Sequence, residues 1–109
     1  MYMSDATMNN GSKILDKVTG FEWDGGNKKK NLVKHEVNSE ECEEVFFDYK
    51  KKAQKDVLHS RSEERYILMG QTRKERLLYI SFTIRKDKVR IISARDINKK
   101  ERKLYEEKT

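Results

Sequence analysis

The sequence has little of what disulfide-stabilised, secreted or membrane-spanning proteins require. Cys42 is the one cysteine in 109 residues, which excludes an internal disulfide and fits a reducing compartment. No run approaches the roughly 18 apolar residues of a membrane-spanning helix, and the first residues lack the apolar centre of a signal peptide. We therefore expect a cytoplasmic protein with no membrane association, in which Cys42 fills a helix face.

Histidine is also scarce. His35 and His59 are the only two, 24 positions apart, and this spacing does not match that of a metal site. The sequence therefore predicts no bound metal and no cofactor.

The length of 109 residues fits one domain with a thin core. Hydrophobic residues make up 35% of the chain and are concentrated in residues 64–95. Residues 1–20 contain Asn-Asn-Gly-Ser and scattered apolar positions, which indicates a weakly ordered leader. We predict one folded domain over residues 21–109.

Positive charge is concentrated in the second half of the chain. All eight arginines follow residue 60, and the net charge is −1 over residues 1–58, with 10 lysines against 11 acidic residues. Residues 59–109 carry 15 basic against 8 acidic residues, a net charge of +7. A basic surface of this kind favours a polyanionic partner, although a solvated surface with no partner has the same composition.

The N-terminal half predicts two helices after a short strand. Residues 21–23 form the strand, and a first helix covers residues 25–36. A second helix begins at Asn38 or Ser39, where Asn38 and Glu41 have the spacing of a capping box. The lysine-rich segment 49–55 is predicted to be a solvated connector.

The C-terminal half has the two-residue alternation of strands. Strands are predicted at 56–60, 64–70, 76–85 and 89–95, and Asp96 is predicted to cap a last helix over 97–108. The chain is thus predicted to be an α+β domain. In it, two N-terminal helices pack on a three- to four-stranded antiparallel sheet, followed by a C-terminal helix.

The segment Arg90-Ile-Ile-Ser-Ala-Arg-Asp96 places two arginines on one strand. Strict alternation sends Arg90 and Arg95 to opposite faces. Arg95 precedes a predicted helix start, where anions are favoured, and a guanidinium there is typical of a phosphate site. Pairing of Arg95 with Asp96, Glu101 or another carboxylate explains the residue equally well.

A series of short motifs resembles the BrnT family of toxins. The motifs, in order, are FEWD at 21–24, NLVKH at 31–35, EEVFFD at 43–48, HSRSEERYILMG at 59–70, FTIR at 82–85, RIISARD at 90–96 and ERKLY at 101–105. The resemblance covers about 85 of the 109 residues. Glu36 departs from it, since a glycine is common there in the family.

The resemblance implies a RelE-like fold and a toxin that blocks translation by cutting RNA. It further implies neutralisation by a BrnA-type antitoxin in a heterotetramer, with DNA contacted only through the antitoxin. RNA cleavage without a metal uses the substrate's 2′-hydroxyl as nucleophile, so the enzyme must move protons and stabilise an anionic phosphorane.

Each candidate site residue lies within one of the matched motifs. Candidates for phosphate and transition-state stabilisation are Arg65, Arg90 and Arg95. Candidates for proton transfer are His35, His59, Glu64 and Tyr105. Candidates for substrate contact are Arg85, His59 and Lys34. Two other functions remain open from the residues, a non-catalytic nucleic-acid-binding domain and a domain that only binds an antitoxin.

Overall fold

The computed structural model describes residues 9–24 and 35–107 of the chain. The elements in these residues are α1 (Ser12–Leu15), β1 (Gly20–Glu22), α2 (Ser39–Val45), β2 (Lys52–Lys55), β3 (Tyr66–Gln71), β4 (Leu77–Arg85), β5 (Lys88–Asp96) and α3 (Lys99–Glu106). The helix predicted over residues 25–36 lies almost entirely outside the described residues, and so does Lys34.

The described strands form one five-stranded sheet in the order β1-β5-β4-β3-β2. Strand β1 pairs with β5 in parallel, whereas the other pairs are antiparallel. The prediction of a purely antiparallel sheet of three to four strands was therefore wrong. Strand β1 lies one residue from the short strand predicted at 21–23, but three residues do not show which strand they pair with. The lysine-rich strand β2 carries almost no apolar alternation.

Strand β2 occupies the segment that was predicted to be a connector. Its backbone pairs with β3 from Lys52 opposite Met69 to Lys55 opposite Tyr66, and Ala53 is fully buried. The strand predicted at residues 56–60 is instead a turn. Backbone pairing with an adjacent strand stabilises β2 although its side chains are mainly polar.

The core lies between α2 and one face of the sheet, which we call the core face. On β4, the core face carries the predicted residues Leu78, Ile80, Phe82 and Ile84. Phe46, which follows α2, meets the Phe82 ring edge-on with centroids 5.2 Å apart. The predicted capping box of Asn38 and Glu41 is present at the start of α2.

Residues 9–19 cross the core face beside α2. Asn9 forms a backbone bridge with Ala53 on the outer edge of β2, and Thr19 bonds to Asp87 in the β4–β5 turn at 2.7 Å. Between these points, Leu15 and Val18 pack against the core. This part of the segment predicted as a leader thus contacts the β2 edge of the sheet and the β4–β5 turn.

Helix α3 packs on the opposite face of the sheet. Its Tyr105 is buried with Ile67, Met69 and Leu77. Asn98 caps the helix and forms a capping box with Glu101, so the prediction that Asp96 is the cap was wrong. Asp96 instead ends β5, because strand pairing continues to Asp96 opposite Leu78.

A β-bulge in β5 changes which side chains share a face. Ser81 of β4 faces Ser93, but the next residue, Phe82, faces Ile91, so that Ile92 has no partner on β4. One extra residue reverses the alternation beyond it. Arg90 and Arg95 therefore lie on the same face of the sheet, which corrects the prediction that they point to opposite sides.

Candidate active site

The sheet face opposite the core face is polar where α3 leaves it open. Three successive cross-strand pairs of β4 and β5 form this area, which we call the polar face: Thr83 with Arg90, Ser81 with Ser93, and Tyr79 with Arg95. Cross-strand partners lie side by side on one face. The bulge thus brings two of the predicted arginines to one surface.

Arg95 is held in a fixed orientation on the polar face. Its guanidinium lies 4.0 Å from the centre of the Tyr79 ring and donates to both carboxylate oxygens of Glu101, at 2.9 and 2.7 Å. Burial of Glu101 opposes ionisation, but the bonds from Arg95 and the Asn98 backbone leave the pKa of Glu101 below its usual value. Of the two alternatives for Arg95, the observed geometry is the carboxylate pair.

Arg85 and Arg90 also have carboxylate partners. Arg85 donates to Glu63 at 2.7 Å, and Arg90 donates to Asp24 at 2.6 Å. The bond from Arg85 lowers the pKa of Glu63, and the charges of Arg90 and Arg65 lower it further. Of these arginines, Arg85 is the one that bonds directly to the Glu63 carboxylate.

Arg65 differs from these three in its contacts. Its backbone carbonyl accepts a bond from the Asp56 amide at 2.8 Å, which extends the β2–β3 ladder. Its backbone amide donates to the Ser60 hydroxyl at 2.9 Å. Across residues 9–24 and 35–107, its guanidinium has no hydrogen bond and no ion pair. Among the described residues, Arg65 is thus a half-buried cation with free donors.

His59 is oriented by a carboxylate that the sequence did not single out. The Asp56 side chain is 10% exposed and lies 2.8 Å from Nδ1 of His59, and it also accepts from the His59 backbone amide at 3.3 Å. Since an ionised carboxylate only accepts hydrogen bonds, Nδ1 carries the proton and Nε2 is left as a base. The D-x-x-H spacing across a turn was the sequence signal that could have identified Asp56 as the partner of His59.

His59 and Arg65 line the same open depression. It has a volume of about 320 Å³, and its other lining residues are Arg61, Ser62 and Glu63. The His59 side chain is 65% exposed, so that a substrate can reach its ring. The depression therefore combines a base with a cation that can stabilise an anion.

The structure places the other proton-transfer candidates elsewhere. The His35 carbonyl accepts from Arg76 at 3.2 Å, near the start of α2. Glu64 bonds to Lys55 and to the Tyr66 hydroxyl, and Tyr66 packs on the core face. Tyr105 donates to Asp48 at 2.6 Å, and burial together with this bond raises its pKa. These three residues are separate from the depression.

The described residues contain neither a group of metal ligands nor a membrane-spanning helix. In residues 9–24 and 35–107, no three or more His, Cys, Asp or Glu side chains are grouped so that they could hold a metal ion. No helix in the same residues is long and apolar enough to span a membrane.

Comparison with known proteins gives a family and a fold. Residues 23–101 match the family described as the ribonuclease toxin BrnT of type II toxin–antitoxin systems. No curated protein matches the sequence. The crystal structure of the Brucella abortus ribonuclease toxin BrnT is similar in fold, with a TM-score of 0.55 and 17% identity, and the alignment covers 75% of this chain and all of that one. The family match spans well over half of the chain, so the protein belongs to the BrnT family of ribonuclease toxins of type II toxin–antitoxin systems.

Proposed function

We propose that this chain cleaves RNA at the depression lined by His59 and Arg65, by a route that needs no metal ion. One observation carries the proposal: a histidine oriented by a nearly buried carboxylate stands beside an arginine with free donors. The family supplies the reaction class, and the geometry supports these two residues as its catalytic pair.

The reaction follows from the chemistry of the two groups. Nε2 of His59 takes the proton from a 2′-hydroxyl, whose oxygen then attacks the adjacent phosphorus. The bond between phosphorus and the 5′-oxygen breaks, and the departing oxygen takes a proton from solvent. Arg65 donates hydrogen bonds to the phosphorane oxygens, where negative charge increases in the transition state. The products are a 2′,3′-cyclic phosphate and a free 5′-hydroxyl.

Arg85 and Arg90 serve as substrate contacts in this proposal. Side-chain exposure is 50% for Arg85 and 43% for its partner Glu63, and ion pairs as exposed as this are weak and screened by salt. An RNA phosphate can therefore replace Glu63 on Arg85. His35, Glu64 and Tyr105 have no catalytic role in the proposal, because none of them lines the depression.

The partners follow from the family. A type II system includes an antitoxin, and we propose a BrnA-type antitoxin that assembles with the toxin into a heterotetramer in the cytoplasm. The net charge of +7 over residues 59–109 suits both an RNA substrate and an acidic partner.

Expression and cleavage assays test the proposal together. Wild-type chain should arrest growth, with relief by a co-expressed antitoxin, and should fragment RNA in the presence of a chelator. Arg65→Ala and His59→Gln should each lose about 100-fold or more in cleavage rate. Arg102→Ala is the matched control, because Arg102 lies on α3 and pairs only with Glu106 among the described residues. RNA binding without fragments would instead favour the non-catalytic nucleic-acid-binding function.

A further inference from the structure

We infer that Arg95 and Tyr79 form a nucleobase subsite, in which a base of the RNA stacks on the guanidinium plane. The inference rests on the proposed function for its ligand, single-stranded RNA. It assigns Arg95 a role different from phosphate binding, and the reason is the way its hydrogen-bond donors are used.

Three of the five N–H donors of Arg95 bond to acceptors among the described residues. Nη1 bonds to Glu101 and to the Asp96 carbonyl, at 2.9 and 3.1 Å, and Nη2 bonds to the second Glu101 oxygen at 2.7 Å. The end-on fork of Nη1 and Nη2, which could hold a phosphate, is therefore occupied by a carboxylate. The negative charge of Glu101 also opposes the approach of a phosphate.

Glu101 is not free to give way to an RNA phosphate. Its side chain is 14% exposed and also accepts from the Asn98 backbone amide at 2.9 Å in the capping box of α3. Displacing it from Arg95 would disturb the first turn of the helix. The more exposed Glu63 has no such second bond among the described residues, so a phosphate can replace it on Arg85.

The Arg95 side chain keeps an exposed surface although two groups hold it. Tyr79 covers one face of the guanidinium plane at 4.0 Å, and Glu101 fixes the edge, yet the Arg95 side chain is still 37% exposed. Unpaired bases in RNA stack on arginine planes as well as on aromatic rings. Because Glu101 and Tyr79 already hold the plane, little conformational entropy is lost when a base stacks on it.

The subsite and the depression lie at opposite ends of the polar face. Tyr79 is four residues from Thr83 on β4, about 13 Å at the usual rise of a strand. Ser81 and Ser93 lie side by side between them, and neither hydroxyl has a hydrogen-bond partner in the part of the chain that the structure describes. The two hydroxyls offer contacts to the sugar between the cleaved phosphate and the stacked base.

Binding of 2′-O-methyl RNA tests the inference without cleavage, since this ligand lacks the attacking hydroxyl. Arg95→Lys keeps the charge but removes the plane, so it should weaken binding about 5- to 20-fold. The dependence of affinity on salt should not change. Arg65→Ala should instead reduce the salt slope by about 0.7, the value for one lost phosphate contact. These readouts remain valid if His59 proves not to be catalytic.

An abasic scan of the oligonucleotide gives a second measurement on the wild-type chain. Removing one base should weaken binding by the same 5- to 20-fold, and that loss should disappear in Arg95→Lys. Three outcomes would each overturn the subsite. These are a lower salt slope in Arg95→Lys, an equal loss of affinity at every abasic position, and no binding by the wild-type chain at low salt. Unchanged circular dichroism shows that Arg95→Lys still folds.

Discussion

Replacing Asp56 with asparagine tests whether the buried carboxylate positions His59. Asparagine keeps the size of the side chain and an oxygen that can accept from the His59 amide, so the turn is retained. Its amide, however, donates to Nδ1 and moves the ring proton to Nε2, where the base is needed. The substitution therefore acts on the chemistry of His59 and leaves the fold in place.

The contact distances and exposures set the expected size of the effect. A hydrogen bond to a charged group contributes about 1.5–3 kcal/mol. The His59 side chain is 65% exposed, so water competes for the ring and the lower end of this range applies. About 1.4 kcal/mol corresponds to a tenfold change in rate. We therefore expect Asp56→Asn to cleave about 10-fold more slowly, whereas His59→Gln should lose about 100-fold or more.

A double-mutant cycle on single-turnover cleavage rates provides the assay. If Asp56 acts through His59, adding Asp56→Asn to His59→Gln should cost nothing further. Equal 10-fold losses in both backgrounds, or a wild-type rate in Asp56→Asn, would refute the positioning role. The thermal midpoint of each variant separates a folding defect from a catalytic one.

Three other perturbations act on the core, on the buried thiol and on the C-terminal helix. Gly70→Ala should lower the free energy of unfolding by about 1–3 kcal/mol, because an added Cβ would lie 2.7 Å from the Val45 carbonyl; an unchanged midpoint in thermal denaturation would contradict this. Burial and two neighbouring glutamates raise the pKa of Cys42 to about 12. Iodoacetamide at pH 8 should therefore label the thiol only after the chain is unfolded in urea. Rapid labelling of the folded chain, detected by mass spectrometry, would contradict the packing. The pKa of Glu101 is lowered in the folded state, so its bond to Arg95 stabilises the fold above about pH 4.3 and is lost as the pH falls through the lowered pKa. The thermal midpoint should therefore drop between pH 6 and pH 3, and it should drop less in Glu101→Gln. An equal drop in both chains would count against the pair.

The regular elements of the fold could be predicted from the sequence because they bury apolar side chains at a fixed period. Strand β4 was predicted from its apolar alternation and is present. The capping box of α2 was predicted from the spacing of Asn38 and Glu41 and is also present. Strand β2 was missed, because its stabilisation comes from backbone pairing with β3 and Ala53 is its one apolar residue. Both α2 and α3 begin with a capping box, but the cap of α3 is Asn98, two residues after the predicted Asp96.

The placement of the arginines depended on a feature that no periodicity reveals. A single extra residue at Ile92 brings Arg90 and Arg95 to one face, and the alternation of apolar residues alone gave the opposite result. The partner of His59 was missed for a related reason, since a turn brings Asp56 beneath it and turns have no repeat to detect. Local chain geometry thus decides the site, whereas hydrophobic patterning decides the layers.

The chemistry of the RNA ends is the most direct measurement of the proposed reaction. A defined single-stranded RNA, incubated with the wild-type chain and a chelator, should yield 2′,3′-cyclic phosphate and 5′-hydroxyl ends. The same ends should be almost absent with Arg65→Ala and abundant with Arg102→Ala. Fragments with 5′-phosphate ends, or cleavage that stops on chelation, would contradict attack by the 2′-hydroxyl at a site formed by His59 and Arg65.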